Sequence, residues 1–226
     1  MVMTGRKFAG IGCSIVVVAV IAVAGAITWY SAQMAGDFRR VKASEQALVA
    51  AGGTPAAFTP PVDGVPDPAR LEAFAVVRES TAEWRAKLAG AEATFAASRS
   101  SWWGRAGEGH DLTQVMAGFW LARNEALTKA AMGPAEYTWL YGLVYFGWLG
   151  HDPAEGRQAI AINGRSGVRR EDARFDSLRA QWPGGVPEAA AAVLEPLRER
   201  LVAGWTAETN PVDLVFIGEF EKSQGK

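Results

Sequence analysis

Cysteine occurs once in 226 residues, at Cys13, and histidine twice, at His110 and His151. One cysteine excludes an intrachain disulfide, and three such ligands in all are too few for the usual four-ligand structural zinc site. The chain has no Cys-x-x-Cys-His for covalent haem and no His-Glu-x-x-His metal helix. It also lacks a Walker loop, a Gly-x-Gly-x-x-Gly turn and a Gly-x-Ser-x-Gly nucleophile elbow. An excess of either charge is missing too. Lys and Arg number 23 against 24 Asp and Glu, a formal net of −1. Without a basic face, nucleic acid is not an expected partner. Neither a repeat of 20–50 residues, nor an alternating strand series, nor a βαβ pattern occurs, so the expected class is all-α. No cofactor is expected.

What the chain does have is a run without charge. Phe8 to Tyr30, FAGIGCSIVVVAVIAVAGAITWY, carries no Asp, Glu, Lys or Arg in 23 residues. As a helix it measures about 34 Å, enough for a hydrocarbon core of about 30 Å. Arg6 and Lys7 precede it, and Trp29 and Tyr30 close it, as cations and interfacial aromatics flank a spanning helix. The sequence therefore predicts a cytoplasmic tail (1–7), a transmembrane helix (8–30), a helical extension with a Pro-rich connector (31–66) and a helical periplasmic domain (67–226). A bacterial inner membrane with the N-terminus inside is the expected setting. The positive charges on the two sides nearly balance, and the lack of cysteine after the anchor tolerates an oxidising compartment. The rival expectation is a cleaved secretion signal, with Ala24-Gly25-Ala26 as the small-x-small site.

Beyond the anchor the helical pattern continues, SAQMAGDFRRVKASEQALVAA, to a stop at Gly52-Gly53. Prolines 55, 60, 61, 66 and 68 mark an extended connector. Asp67-Pro68 caps a helix whose apolar seam reads Phe74, Val77, Thr81, Trp84, Leu88, Ala91, Phe95. Ser98 to Gly109 reads as a loop carrying Trp102 and Trp103. Asp111 is expected to open the next helix, with Gln114 at the capping-box position. Gly133-Pro134 starts another. Within it, Tyr137 to Leu149 is uncharged but only about 20 Å long, too short to span a bilayer, and is expected to be the central core helix with its tyrosines at polar edges. A short helix after Pro153 and an amphipathic one over 168–182 follow. The helix after Pro187 should kink or divide at Pro196, and the tail VDLVFIGEF ends the apolar pattern.

Candidate chemistry is sparse. The two Gly-His-Asp triplets, at His110 and His151, read as loop residues beside helix-capping aspartates. Glu83, Glu92, Glu125, Glu136 and Glu155 lie on expected helices, and a carboxylate pair in one cleft would be needed for glycosidic or related hydrolysis. Glu125 in FWLARNEAL stands nearest apolar residues, with Arg123 and Lys129 as expected ion-pair partners.

The combination EAFAVVRES, ALTKAAMGPAEYTWLYGLV and a late VLEPLRERL before a short apolar tail resembles a group of uncharacterised bacterial envelope proteins with an N-terminal anchor and a helical periplasmic domain. The resemblance implies fold and location, and it transfers no functional residue.

These features combine into an expectation of a non-catalytic accessory or structural subunit of an integral membrane complex, respiratory or photosynthetic in type. Its partners would be integral membrane protein subunits and the lipid bilayer. The expected contact residues are Gly10, Ser14, Ala22 and Ala26, small residues four apart in the anchor, together with Trp29, Trp102 and Trp103. The alternatives are an anchored enzyme using carboxylates on cell-wall or lipid substrates, and an anchored ligand-binding or chaperone domain.

Overall fold

The computed structural model describes residues 29, 31–53, 58–97, 102–152, 182, 184–207 and 210. The described residues are helical or irregular, with no strand among them. The chain divides into two compact units, Met1–Arg39 and Arg40–Lys226. In the first unit, residues 31–39 are helical and Trp29 is 62% exposed. Among the described residues no helix is long and apolar enough to cross a membrane. The expected spanning segment lies outside them, Trp29 excepted.

The second unit opens with a helix over residues 40–52 (α1), stopped as expected at Gly52-Gly53, where Gly53 takes φ +84°. A Cβ at Gly133 would lie 2.5 Å from the Gly52 carbonyl oxygen, so two bare backbones touch where α1 ends. Helix α2, Pro68–Ser80, begins at Asp67, whose Oδ1 accepts from the backbone N–H groups of Ala69 (2.8 Å) and Arg70 (3.1 Å).

The sequence predicts one continuous helix from here, but the structure divides it. Helix α3 spans Ala82–Ala97, and Thr81 between the two has φ −99° and ψ 1°. Arg85 explains the break. Its Nη1 donates to the Arg78 carbonyl (2.6 Å) and to Thr81 Oγ1 (2.8 Å), supplying a buried side-chain donor at the interruption.

Helix α4 spans Trp102–Lys129. This corrects the expected loop over 102–109 and the expected start at Asp111, while 98–101 lie outside the described residues: Trp102 and Trp103 form the first turn of α4, and Asp111 is interior and exposed. Each glycine in this stretch opposes a helix by about 1 kcal/mol. Packing overrides that preference, because α4 runs along α3, and a Cβ at Gly109 would stand 3.6 Å from the Phe95 ring. Gln114 does not cap either; its amide meets the His110 ring nitrogen at 3.1 Å.

The α4 C-terminus turns through Ala131, a non-glycine residue at φ 46°. Met132 N–H donates to the Leu127 carbonyl and Ala131 N–H to the Thr128 carbonyl, the paired closure of a Schellman end. Arg70 completes it, donating to the carbonyls of Ala130 (3.0 Å) and Ala131 (3.2 Å) and to both oxygens of Glu136 (2.6 and 2.7 Å).

Gly133-Pro134 opens helix α5, Pro134–Tyr141, as expected, but the chain then widens into a π-helix over Gly142–Trp148. Pro187 precedes α6, Glu188–Leu194; a 3-10 turn at Glu195–Leu197 carries Pro196, and α7 covers Arg198–Ala203. Pro196 thus divides this region as its missing N–H dictates. The expected helices over 154–163 and 168–182 and the tail after Asn210 lie outside the described residues, Trp182 excepted.

Two apolar clusters form the core. One gathers Phe74, Leu71, Leu127, Met132, Leu194 and Leu201 around α5 and the π-helix; the other joins Val41, Leu88, Ala117, Phe119 and Trp120.

Candidate functional site

The expected seam of α2 and α3 alternated Phe74, Val77, Thr81, Trp84, Leu88, Ala91 and Phe95. The side chains actually buried also include Arg78, Arg85 and Glu92, exposed by 0%, 2% and 3%. Those three recur every seven residues, so they share one stripe. A charged stripe runs where an apolar one was expected to be complete. Trp84 is only half-buried, its indole lying over Gly118, where any side chain would collide with it.

Arg78 is the centre of the first cluster. Its Nη1 donates to Tyr137 Oη (2.7 Å), its Nε to Tyr145 Oη (3.1 Å) and its Nη2 to the Gly204 carbonyl (2.5 Å). The guanidinium also lies 5.1 Å and 5.3 Å from the ring centroids of Tyr141 and Tyr145. Helix α5 and the π-helix present Tyr137, Tyr141 and Tyr145 four residues apart, and all three are wholly buried. This corrects the expectation of tyrosines at polar edges; their hydroxyls find polar partners inside. Tyr141 Oη bonds to Asn210 Oδ1 at 3.2 Å. Trp205 packs on Tyr145 at 5.1 Å and stacks on His151 at 4.1 Å with an 11° tilt. His151 therefore serves as an aromatic partner in this packing, and His110 sits within α4 beside Gln114.

The second cluster buries Arg123 and Asn124, exposed by 1% and 0%. Arg123 Nε and Nη2 donate to Asn124 Oδ1 at 3.2 and 3.1 Å, and Asn124 Nδ2 donates to Ser44 Oγ at 2.9 Å. Glu45 on α1 approaches Arg123 Nη2 at 4.0 Å.

Two of the expected carboxylates, Glu83 and Glu125, line one groove, each paired with a lysine four residues on. Glu83 bonds Lys87 and Glu125 bonds Lys129, each at 2.7 Å on an exposed face. Glu136 is held by Arg70, Glu92 is buried on α3, and Glu155 lies outside the described residues. Hydrogen bonds from Lys87, Lys129, Arg200 and Arg198 respectively hold Glu83, Glu125, Glu79 and Glu195 below the usual glutamate range. The Glu136 hydrogen bond raises the pKa of Arg70 despite its partial burial. Among the described residues no group of three or more His, Cys, Asp or Glu is placed to hold a metal ion.

An open groove of about 610 Å³ lies between α2 and α4, with Glu83 and Trp84 of α3 among its lining residues. Its floor is small and apolar, with Ala69 and Ala73 on one helix and Ala122, Ala126 and Ala130 on the other; Glu72, Glu83, Glu125 and Lys129 stand at its margins. No signal in the apolar seam pointed to it, because alanines spaced by four read equally well as core.

Of the expected contact residues, Gly10, Ser14, Ala22 and Ala26 lie outside the described residues. Trp29 belongs to the first unit, and Trp102 and Trp103 begin α4 in the second.

The second unit thus belongs to the class of all-helical domains, one in which charged side chains occupy stripe positions in the core. No family model, curated protein or solved structure matches the chain.

Proposed function

We propose that this protein is a non-catalytic accessory subunit of an integral membrane complex of respiratory or photosynthetic type, held by the helix over 8–30 and stabilising its partners through the periplasmic helical domain. The observation that favours contact over chemistry is the state of the carboxyls. Among the described residues, Glu79, Glu83, Glu125 and Glu195 are displaced downward by a neighbouring cation. A general acid for hydrolysis at neutral pH requires the opposite displacement. Buried Arg78 is likewise engaged, by two tyrosine hydroxyls and a backbone carbonyl within the core. The uncharged run between Arg6-Lys7 and Trp29-Tyr30 supplies the anchor.

The test is gentle detergent extraction of membranes containing the tagged full-length chain, followed by quantitative identification of what co-purifies. The expected result is a fixed stoichiometry with one set of membrane subunits that survives dilution. A monodisperse monomer with a mature N-terminus near Ile27 would sink the proposal.

A further inference from the structure

We propose that Asp63 is a site of covalent self-modification, conversion to isoaspartate, and that docking of the Pro-rich connector holds this reaction in check. The reaction belongs to the chain itself and is independent of the accessory-subunit reading.

The sequence supplies the reactants. Asp63-Gly64 is the single Asp-Gly step in these 226 residues. Glycine leaves the following peptide nitrogen unshielded by a side chain and free to swing. That nitrogen attacks Asp63 Cγ, and the carboxyl hydroxyl leaves with the amide proton as water, closing a five-membered imide. Water then adds to the main-chain carbonyl carbon of Asp63, and the bond from that carbon to the Gly64 nitrogen breaks. The product runs its main chain through Cγ, one carbon longer, and carries a free α-carboxylate. One water leaves and one enters, so the mass is unchanged and no oxidant, reductant or cofactor takes part.

The structure keeps the two reactants apart. Asp63 is exposed, so water reaches its carboxyl, whereas Gly64 is buried. The Gly64 N–H donates to the Pro61 carbonyl at 3.0 Å, closing a four-residue turn. Asp63 Oδ1 accepts from the Val65 N–H at 3.1 Å. The attacking nitrogen and the attacked carboxyl are thus each hydrogen-bonded elsewhere. Gly64 takes φ +68°, and a Cβ there would stand 3.1 Å from the Trp182 ring and 3.5 Å from Pro187. The backbone that must swing toward Asp63 Cγ is therefore packed against an indole and a proline ring. On either side of the turn, Phe58 rests on Trp139 at 5.8 Å and Pro66 is buried.

Ring closure consequently requires the connector to undock, a local opening that leaves the rest of the domain folded. Once made, the longer main chain does not fit the turn. It parts Gly64 from Pro61 and Trp182 and shifts the chain that enters α2 at Asp67. The modification records past openings and then holds the connector open.

The test incubates the full-length chain at neutral pH beside the free peptide of residues 60–66. Mass spectrometry with electron-transfer fragmentation distinguishes the two isomers at position 63. The expected result is isoaspartate in both, formed at least roughly tenfold more slowly in the folded chain. Trp182→Ala, which removes the ring over Gly64, should raise the folded-chain rate severalfold. That ring also packs on Gly147, so a second variant is needed that leaves the packing alone. Asp63→Asn closes the same ring with ammonia leaving, keeps an oxygen for the Val65 N–H and reports by its change in mass; the folded chain should again lag its matched peptide roughly tenfold. Equal rates in folded chain and peptide overturn the proposal, as does a peptide that forms no isoaspartate at position 63.

Discussion

Two buried arginines, in two parts of one domain, are stabilised in different ways. Around α5 and the π-helix, Arg78 bonds two tyrosine hydroxyls and a backbone carbonyl and lies against aromatic faces. Between α1 and α4, Arg123 bonds a neighbouring amide and faces a carboxylate at 4.0 Å. The first site spreads the guanidinium's donors over two hydroxyls and a backbone carbonyl; the second directs two donors to one amide oxygen with a carboxylate 4.0 Å away. Burying a guanidinium costs several kcal/mol unless its donors are satisfied, so the donor geometry, more than the partner's formal charge, should decide which site is more sensitive to change.

The largest expected effect tests that contrast directly. Arg78→Met should destabilise the domain by about 3–5 kcal/mol, because it removes the bonds donated to two buried hydroxyls and a buried carbonyl. Guanidinium denaturation of the purified full-length chain, followed by tryptophan fluorescence, measures it. Glu45→Gln should lose less, about 1–2 kcal/mol, since the amide retains its volume and polar atoms while removing the negative charge 4.0 Å from Arg123. If Glu45→Gln proves the more damaging change, the comparison is reversed and charge pairing dominates in this core.

A smaller effect of opposite sign is expected at the α4 end. Ala131 adopts φ 46°, a conformation natural to glycine. Ala131→Gly should stabilise the protein by up to about 1 kcal/mol, less the added entropy of the unfolded glycine. A drop in denaturation midpoint would mean that the Ala131 methyl contributes packing worth more than the strain.

The smallest effect concerns pH. Glu79 is held below its ordinary value of 4.5 mainly by its hydrogen bond from Arg200, which also bonds Glu72. A carboxyl with a depressed folded-state pKa lends stability that is present above its unfolded value and lost as pH falls through the folded value. The denaturation midpoint should therefore decline as pH is lowered below about 4.5, and Arg200→Gln should flatten part of that decline while changing little else. An unchanged slope in Arg200→Gln would show that this exposed cluster contributes nothing measurable.

How much of this was legible in the sequence follows from the range of each signal. Asp67-Pro68, Gly52-Gly53, Gly133-Pro134 and Pro196 each act on the backbone beside them, and all four punctuate the chain as read. The Glu125–Lys129 pair, four residues apart, was equally readable. The charged stripe was not. Val77, Trp84 and Ala91 give an apolar alternation by themselves, and nothing local says that Arg78, Arg85 and Glu92 turn inward. The early start of α4 overrode its glycines for a related reason: the preceding helix α3 folds back along it, as Phe95 beside Gly109 shows, and supplies packing that a helix-propensity reading does not count.

The sequence by itself determined the all-helical class, the positions of the proline and glycine breaks and the uncharged run over 8–30, because each rests on the conformational limits or polarity of adjacent residues. Only the tertiary structure decided that Arg78 sits among Tyr137, Tyr145 and Gly204, that Tyr141 leads into a π-helix, and that alanines of α2 and α4 leave a groove. Those outcomes depend on which donors, acceptors and volumes meet across tens of residues of chain, and no local spacing encodes that meeting.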